Sequence, residues 1–162
     1  IKEGYDVKVS EVHGMSQRGG SVVTYVKYGD KVYSPIIDRG EADLILAFEM
    51  LEAMRALPYL KKGGKMIANT QKMNPMPVIT GAMEYPENIE EKLSAKINLQ
   101  AVDALSLAEK AGTIKAVNVV LIGLLAKSMD VDKNVWIDVI KETVPEKFLD
   151  VNIKAFELGY EL

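Results

Sequence analysis

The stretch with the most chemical potential is His13-Gly14-Met15-Ser16-Gln17-Arg18-Gly19-Gly20. It gathers three glycines, the only histidine of the chain, an arginine and two neutral hydrogen-bonding side chains. Glycine tolerates positive φ and lets a ligand or another chain come close to the backbone. Arginine offers a rigid fork of donors suited to carboxylate or phosphate. Two readings stand side by side. The segment either contacts an anionic ligand or a neighbouring subunit's cofactor pocket, or it is a tight connection with Arg18 in solvent. It matches neither GxGxxG nor GxxxxGK[ST]. A general-base role for His13 would need an orienting partner, and the sequence offers none, so a structural role is the simpler reading.

A second region comes from strand ends. Phe48-Glu49 and Asn69-Thr70 each follow a run that reads as a parallel strand, and open parallel sheets bind ligands beyond their C-terminal strand ends. Helix capping and turn formation explain the same residues equally well. Asn118, inside an apolar helix, is expected to satisfy a buried backbone group. Glu87, Glu90 and Glu91 read as a solvated face. The sequence contains no nucleophile–base pair, metal-ligand cluster or P-loop, so no catalytic residue and no metal ligand is assigned.

Composition narrows the classes further. At 162 residues, 48% of them apolar, the chain suits one domain with a proper core. A net charge of -3 argues against a nucleic-acid footprint. Without cysteine there are no disulfides and no thiolate ligands for an iron–sulfur cluster. A single histidine argues against a histidine-based zinc site. No apolar run has the length of a membrane span, and a reducing cytoplasm is compatible with the composition. The chain opens on Ile1 rather than Met, and no signal peptide is visible.

The elements that must position these residues can be read in order. Tyr5 to Val12 alternates, with Tyr5, Val7, Val9 and Glu11 on one face, and Ser21 to Tyr28 is rich in β-branched and aromatic residues, so both are expected strands. Gly29-Asp30 predicts a two-residue turn into a strand at Lys31 to Ser34. Ala42 to Phe48 reads as a strand buried on both faces of a parallel sheet. Glu49 to Leu57 is a helix with Leu51, Met54 and Leu57 inward, stopped by Pro58, and the next strand is Lys65 to Thr70. That order implies a right-handed βαβ crossover. Gln71 to Pro86 is a long loop with a short strand at Val78-Ile79, of a length that is often functional. Then come a short helix at Glu87 to Leu93, a strand at Lys96 to Ala101, and a helix from the Asp103 cap to Ala111, ended by Gly112. The last third is helical: a buried helix at Val117 to Met129, another at Asp132 to Thr143, and a third from Pro145 with Leu149, Ile153, Phe156 and Tyr160 as its stripe.

These residues carry a resemblance. His13 to Val22, followed by Gly40-Glu41-Ala42-Asp43, Ala47-Phe48-Glu49, Leu51-Glu52-Ala53, Asn69-Thr70, Pro77-Val78, Tyr85-Pro86 and Asn118 to Gly123, resembles the γ-type subunit or domain of 2-oxoacid:ferredoxin oxidoreductases. The similarity is strongest to the indolepyruvate branch of that family and covers most of the chain in the family's order. It implies a Rossmann-like, three-layer α/β domain across residues 1–162, with a mostly parallel sheet, a β-hairpin and a helical C-terminal third. It implies an enzyme that decarboxylates a 2-oxoacid oxidatively on thiamine diphosphate, passes electrons through iron–sulfur clusters to ferredoxin, and releases an acyl-CoA.

The thiamine and cluster sites of such enzymes lie mostly on other subunits or domains, so the partners implied are catalytic thiamine- and cluster-bearing subunits in the cytoplasm. Neither nucleic acid nor a membrane is implied. The residues implied to meet the cofactor region are Gly14, Ser16, Gln17, Arg18, Gly19 and Gly20, with Arg18 as the anion contact and His13 structural or interfacial. The chain departs from the family pattern at its start. Family members open with a strand and a Gly-x-Gly-Gly-Gln-Gly turn, which are absent here, and the native protein is expected to have that strand, because a sheet without it exposes backbone donors and acceptors. A stand-alone ligand-binding or regulatory α/β module is the alternative. A nucleotide-dependent enzyme has no phosphate motif to support it.

Overall fold

A computed structural model describes residues 1–13 and 21–162. Its centre is a three-stranded parallel sheet in the order β3-β4-β5, formed by Ala42–Ala47, Leu60–Asn69 and Asn98–Val102. Strand β4 is central, and alternation along it feeds two separate cores. Met66 and Ala68 face one way and pack with Ala47, Met50, Ala53, Ile89 and Leu93. Ile67 faces the other way, into Ala104, Ala108, Val120, Leu121, Leu124 and Ala155. All three β4 side chains are fully buried. The first core lies under α1 (Met50–Ala56) and, beyond the single-turn helix α2 (Met76–Ile79), under α3 (Ile89–Ser94). The second lies under α4 (Ala104–Ala111), α5 (Val117–Lys127) and α7 (Leu149–Tyr160), with α6 (Lys133–Thr143) packed outside. Helix–sheet–helix layering therefore follows from two apolar faces on one strand, as the sequence leads one to expect.

Helices α5 and α7 meet backbone to backbone. A Cβ on Gly123 would stand 2.2 Å from the Phe156 carbonyl oxygen, and one on Gly159 would stand 1.9 Å from that of Val120. No side chain fits at either position. Asp103 and Asp132 cap α4 and α6, each accepting a backbone N–H of the first turn, and Gly112 closes α4 with φ of +127°.

A separate two-stranded ribbon pairs β1 (Asp6–His13) with β2 (Val22–Gly29), antiparallel from Asp6 opposite Gly29 to His13 opposite Val22. This pairing corrects the expected turn at Gly29-Asp30. Residues 31–34 form no strand, because the Asp6 carboxylate captures the chain instead. Its Oδ2 accepts the Val32 N–H at 3.0 Å, Lys31 stands 3.6 Å away, and Val32 is buried. The expected strand at Val78-Ile79 is also replaced. Those residues lie in α2, where Pro75 and Pro77 set a helical start.

Three smaller expectations shift. Met54 is 37% exposed and Ala53 takes the inner position of α1. Asn118 lies on the exposed side of α5 and is not buried among its apolar neighbours. Glu87 precedes its helix, which starts at Ile89 after Asn88 in the left-handed region.

Candidate functional site

The C-terminal edge of the parallel sheet gathers the polar groups that the fold buries. Glu49, one residue before α1, is 3% exposed. Its Oε2 caps the helix by accepting the N–H groups of Leu51 at 2.7 Å and Glu52 at 3.0 Å. Its Oε1 accepts the Met73 N–H at 3.3 Å and a short hydrogen bond from the Tyr85 hydroxyl. One carboxylate thus holds a helix start and both ends of the loop from Met73 to Tyr85. Burial, reinforced by the hydrogen bond to Glu49, pushes the Tyr85 phenol well above its ordinary value, so it stays a donor.

Asn69, at the end of β4, is fully buried. Its side-chain amide donates to the Phe48 carbonyl at 3.3 Å, and its oxygen accepts the Ala104 N–H at 3.2 Å. It therefore ties the end of β3 to the start of α4. The Thr70 N–H bonds the Val102 carbonyl at 2.9 Å and extends the pairing by one residue. Beside this edge is an open groove of about 510 Å³, lined by Met50, Thr70, Lys72, Tyr85, Asn88 and Glu90 among others. Lys72 rests over the Tyr85 ring, 5.5 Å from its centroid.

The β1–β2 ribbon reaches the same edge. The Ser21 hydroxyl donates to Glu52 at 2.6 Å, in the first turn of α1, and Tyr25 lies against Tyr59, ring centroids 6.3 Å apart, beyond the end of that helix. The ribbon therefore runs along α1, with the end that pairs His13 and Val22 towards the helix start. The sequence-predicted contact residues Gly14, Ser16, Gln17, Arg18, Gly19 and Gly20 lie outside the described residues. His13 is described, and its Nε2 lies 4.0 Å from Glu11 Oε1, two residues back on the same face.

Of the candidates read from strand ends, the fold brings together Phe48, Glu49, Asn69 and Thr70. Sequence reasoning misses Tyr85 and Met73 as partners of Glu49. Their links span 36 and 24 residues, and nothing periodic marks them. Chemically the edge is a set of anchors, with Glu49, Asn69 and Tyr85 each spent on a neighbour. Among the described residues no group of three or more His, Asp or Glu could hold a metal ion.

Fold and edge together define a Rossmann-like α/β chain whose sheet edge organises loops. The chain belongs to the pyruvate ferredoxin/flavodoxin oxidoreductase family, whose model matches residues 1–162. It is 44% identical, over 98% of its length and 82% of the relative's, to indolepyruvate oxidoreductase subunit IorB of Thermococcus kodakarensis. It is 45% identical, over the same shares of both chains, to the subunit of that name from Pyrococcus horikoshii. Its fold matches the solved γ subunit of a keto/oxoacid ferredoxin oxidoreductase from Geobacter sulfurreducens, with TM-score 0.69 and 22% identity over 99% of this chain and 81% of that one. Pyruvate oxidoreductase subunit PORC of Thermotoga maritima has TM-score 0.71 at 19% identity, over the same shares.

Proposed function

We propose that this chain is the accessory, cluster-free subunit of a thiamine-diphosphate-dependent 2-oxoacid:ferredoxin oxidoreductase, with an indolepyruvate-type 2-oxoacid as substrate. That enzyme decarboxylates the acid oxidatively to an acyl-CoA and passes the electrons to ferredoxin. The observation that carries the reading is the match along nearly the whole chain, at 44% and 45% identity, to two relatives named as subunits of indolepyruvate oxidoreductase.

The donor set of the chain agrees with an accessory role. Cluster ligation needs thiolates, and the sequence has no cysteine. The buried Glu49 and Asn69 are spent on loop and helix anchoring. Thiamine diphosphate and the clusters would supply the redox chemistry from the partner subunits. This chain would contribute a shaped surface, with Gly14, Ser16, Gln17, Arg18, Gly19 and Gly20 meeting the cofactor or CoA region and Arg18 contacting an anion. The assembly would work in the cytoplasm.

Reconstitution tests the reading. The chain alone is expected to show no turnover. Added to its thiamine- and cluster-bearing partner, it should restore viologen reduction that depends on indolepyruvate and CoA. Full activity of the partner without this chain would sink the proposal. A chain that runs alone and never associates with a larger subunit would favour a stand-alone binding module.

A further inference from the structure

The loop held by Glu49 exposes what its own fold does not use. Its ends, the Met73 N–H and the Tyr85 hydroxyl, meet on the single oxygen Oε1. Between them the chain folds on itself. The Met83 N–H donates to the Pro77 carbonyl at 3.0 Å, and the Thr80 hydroxyl to the same oxygen at 3.2 Å. A compact loop with joined ends is pre-organised, so little ordering entropy remains to be lost on binding. Yet its apolar side chains point outward: Met73 is 57% exposed, and Met76, Ile79 and Met83 are each 65% exposed. None of them belongs to either core. Met76 and Ile79 are three residues apart on one turn and share a face. Methionine at such a surface adapts its shape to a partner.

Charge beside the loop says what that partner presents. Glu84 ends the exposed run, and Glu87, Glu90 and Glu91 follow it, all exposed, while Lys72 is drawn over Tyr85 and Lys92 donates to the Glu87 carbonyl. The surface is a methionine-rich apolar centre with an acidic border. Its complement is an apolar recess bordered by lysine or arginine.

We propose that the loop from Met73 to Tyr85, held by Glu49 and bordered by Glu84, Glu87, Glu90 and Glu91, is the seat of the catalytic partner subunit. The matching surface on that partner is an apolar recess with a basic rim. This rests on the accessory-subunit reading above and adds the surface through which it operates.

Association of the purified chain with its thiamine- and cluster-bearing partner, followed by biolayer interferometry, tests the proposal. Replacing Met76→Asp and Met83→Asp together should raise Kd by about 30-fold or more, as removal of a central anchor does. The thermal midpoint should stay unchanged, because both side chains are exposed. Glu87→Lys, Glu90→Lys and Glu91→Lys together should slow association by about tenfold at low salt and remove its salt dependence. Tyr85→Phe, which releases one end of the loop, should weaken binding while the outward residues are intact. If wild type binds and all these variants bind as wild type does, the surface is elsewhere and the accessory role stands. The surface is likewise elsewhere if only substitutions on the ribbon, such as Val9→Asp with Val26→Asp, abolish binding. If wild type neither binds nor restores activity, the accessory reading falls and this surface with it.

Discussion

Glu49 serves as the mooring of the sheet edge, because four donors from three segments converge on it. Removing a partner leaves a buried donor or acceptor unsatisfied, which costs more than the bond itself was worth. Tyr85→Phe should cost about 1–3 kcal/mol in urea unfolding, and Glu49→Ala upwards of about 3 kcal/mol, because the helix cap is lost too. Asp6 carries the acid sensitivity of the ribbon. The hydrogen bond from Lys8, then that from the Val32 N–H, lowers its pKa from 3.8 to about 2. Its folded pKa lies below its unfolded one, so its contribution is complete above about pH 4 and is lost as pH falls through about 2. Asp6→Asn should flatten the thermal midpoint against pH across that window, and an unchanged acid limb would refute the assignment.

Helix packing shows what the sequence carries openly and what it hides. Helix α4 is legible because its signals are local: Asp103 at one end, Gly112 at the other, alanine and leucine between. The same holds for α5, whose apolar residues run nearly all round. Their mode of contact is not legible. Gly123 and Gly159 look like weak points in a helix, yet they let α5 and α7 touch through backbone. Gly123→Ala or Gly159→Ala should therefore destabilise by about 3 kcal/mol despite better helix propensity, and by more if the helices part. Denaturant midpoints would show it. Strand pairing is hidden for a different reason. Gly29-Asp30 is the stronger local turn signal, but Asp6 takes the Val32 N–H, and β2 pairs back onto β1. The sheet-edge candidates Phe48-Glu49 and Asn69-Thr70 are readable from strand ends. Their partners Met73 and Tyr85 are not, because a hydrogen bond between distant segments leaves no pattern in either one.

At the scale of the whole molecule, the chain is a layered sheet with an appended ribbon. The register sets Val7 opposite Tyr28, Val9 opposite Val26 and His13 opposite Val22 on one face of that ribbon. Val9 and Val26 are 61% and 53% exposed, while Tyr25, on the other face, packs on Tyr59. The ribbon shares no strand pairing with β3-β4-β5 among the described residues. That separation has a kinetic consequence. A two-stranded ribbon has little stability of its own, so its amides can open without the sheet opening. Deuterium should enter β1 and β2 through local fluctuations, long before the amides of Met66, Ile67 and Ala68, which wait for global unfolding. Equal protection in the two regions would mean that the molecule opens as one cooperative unit.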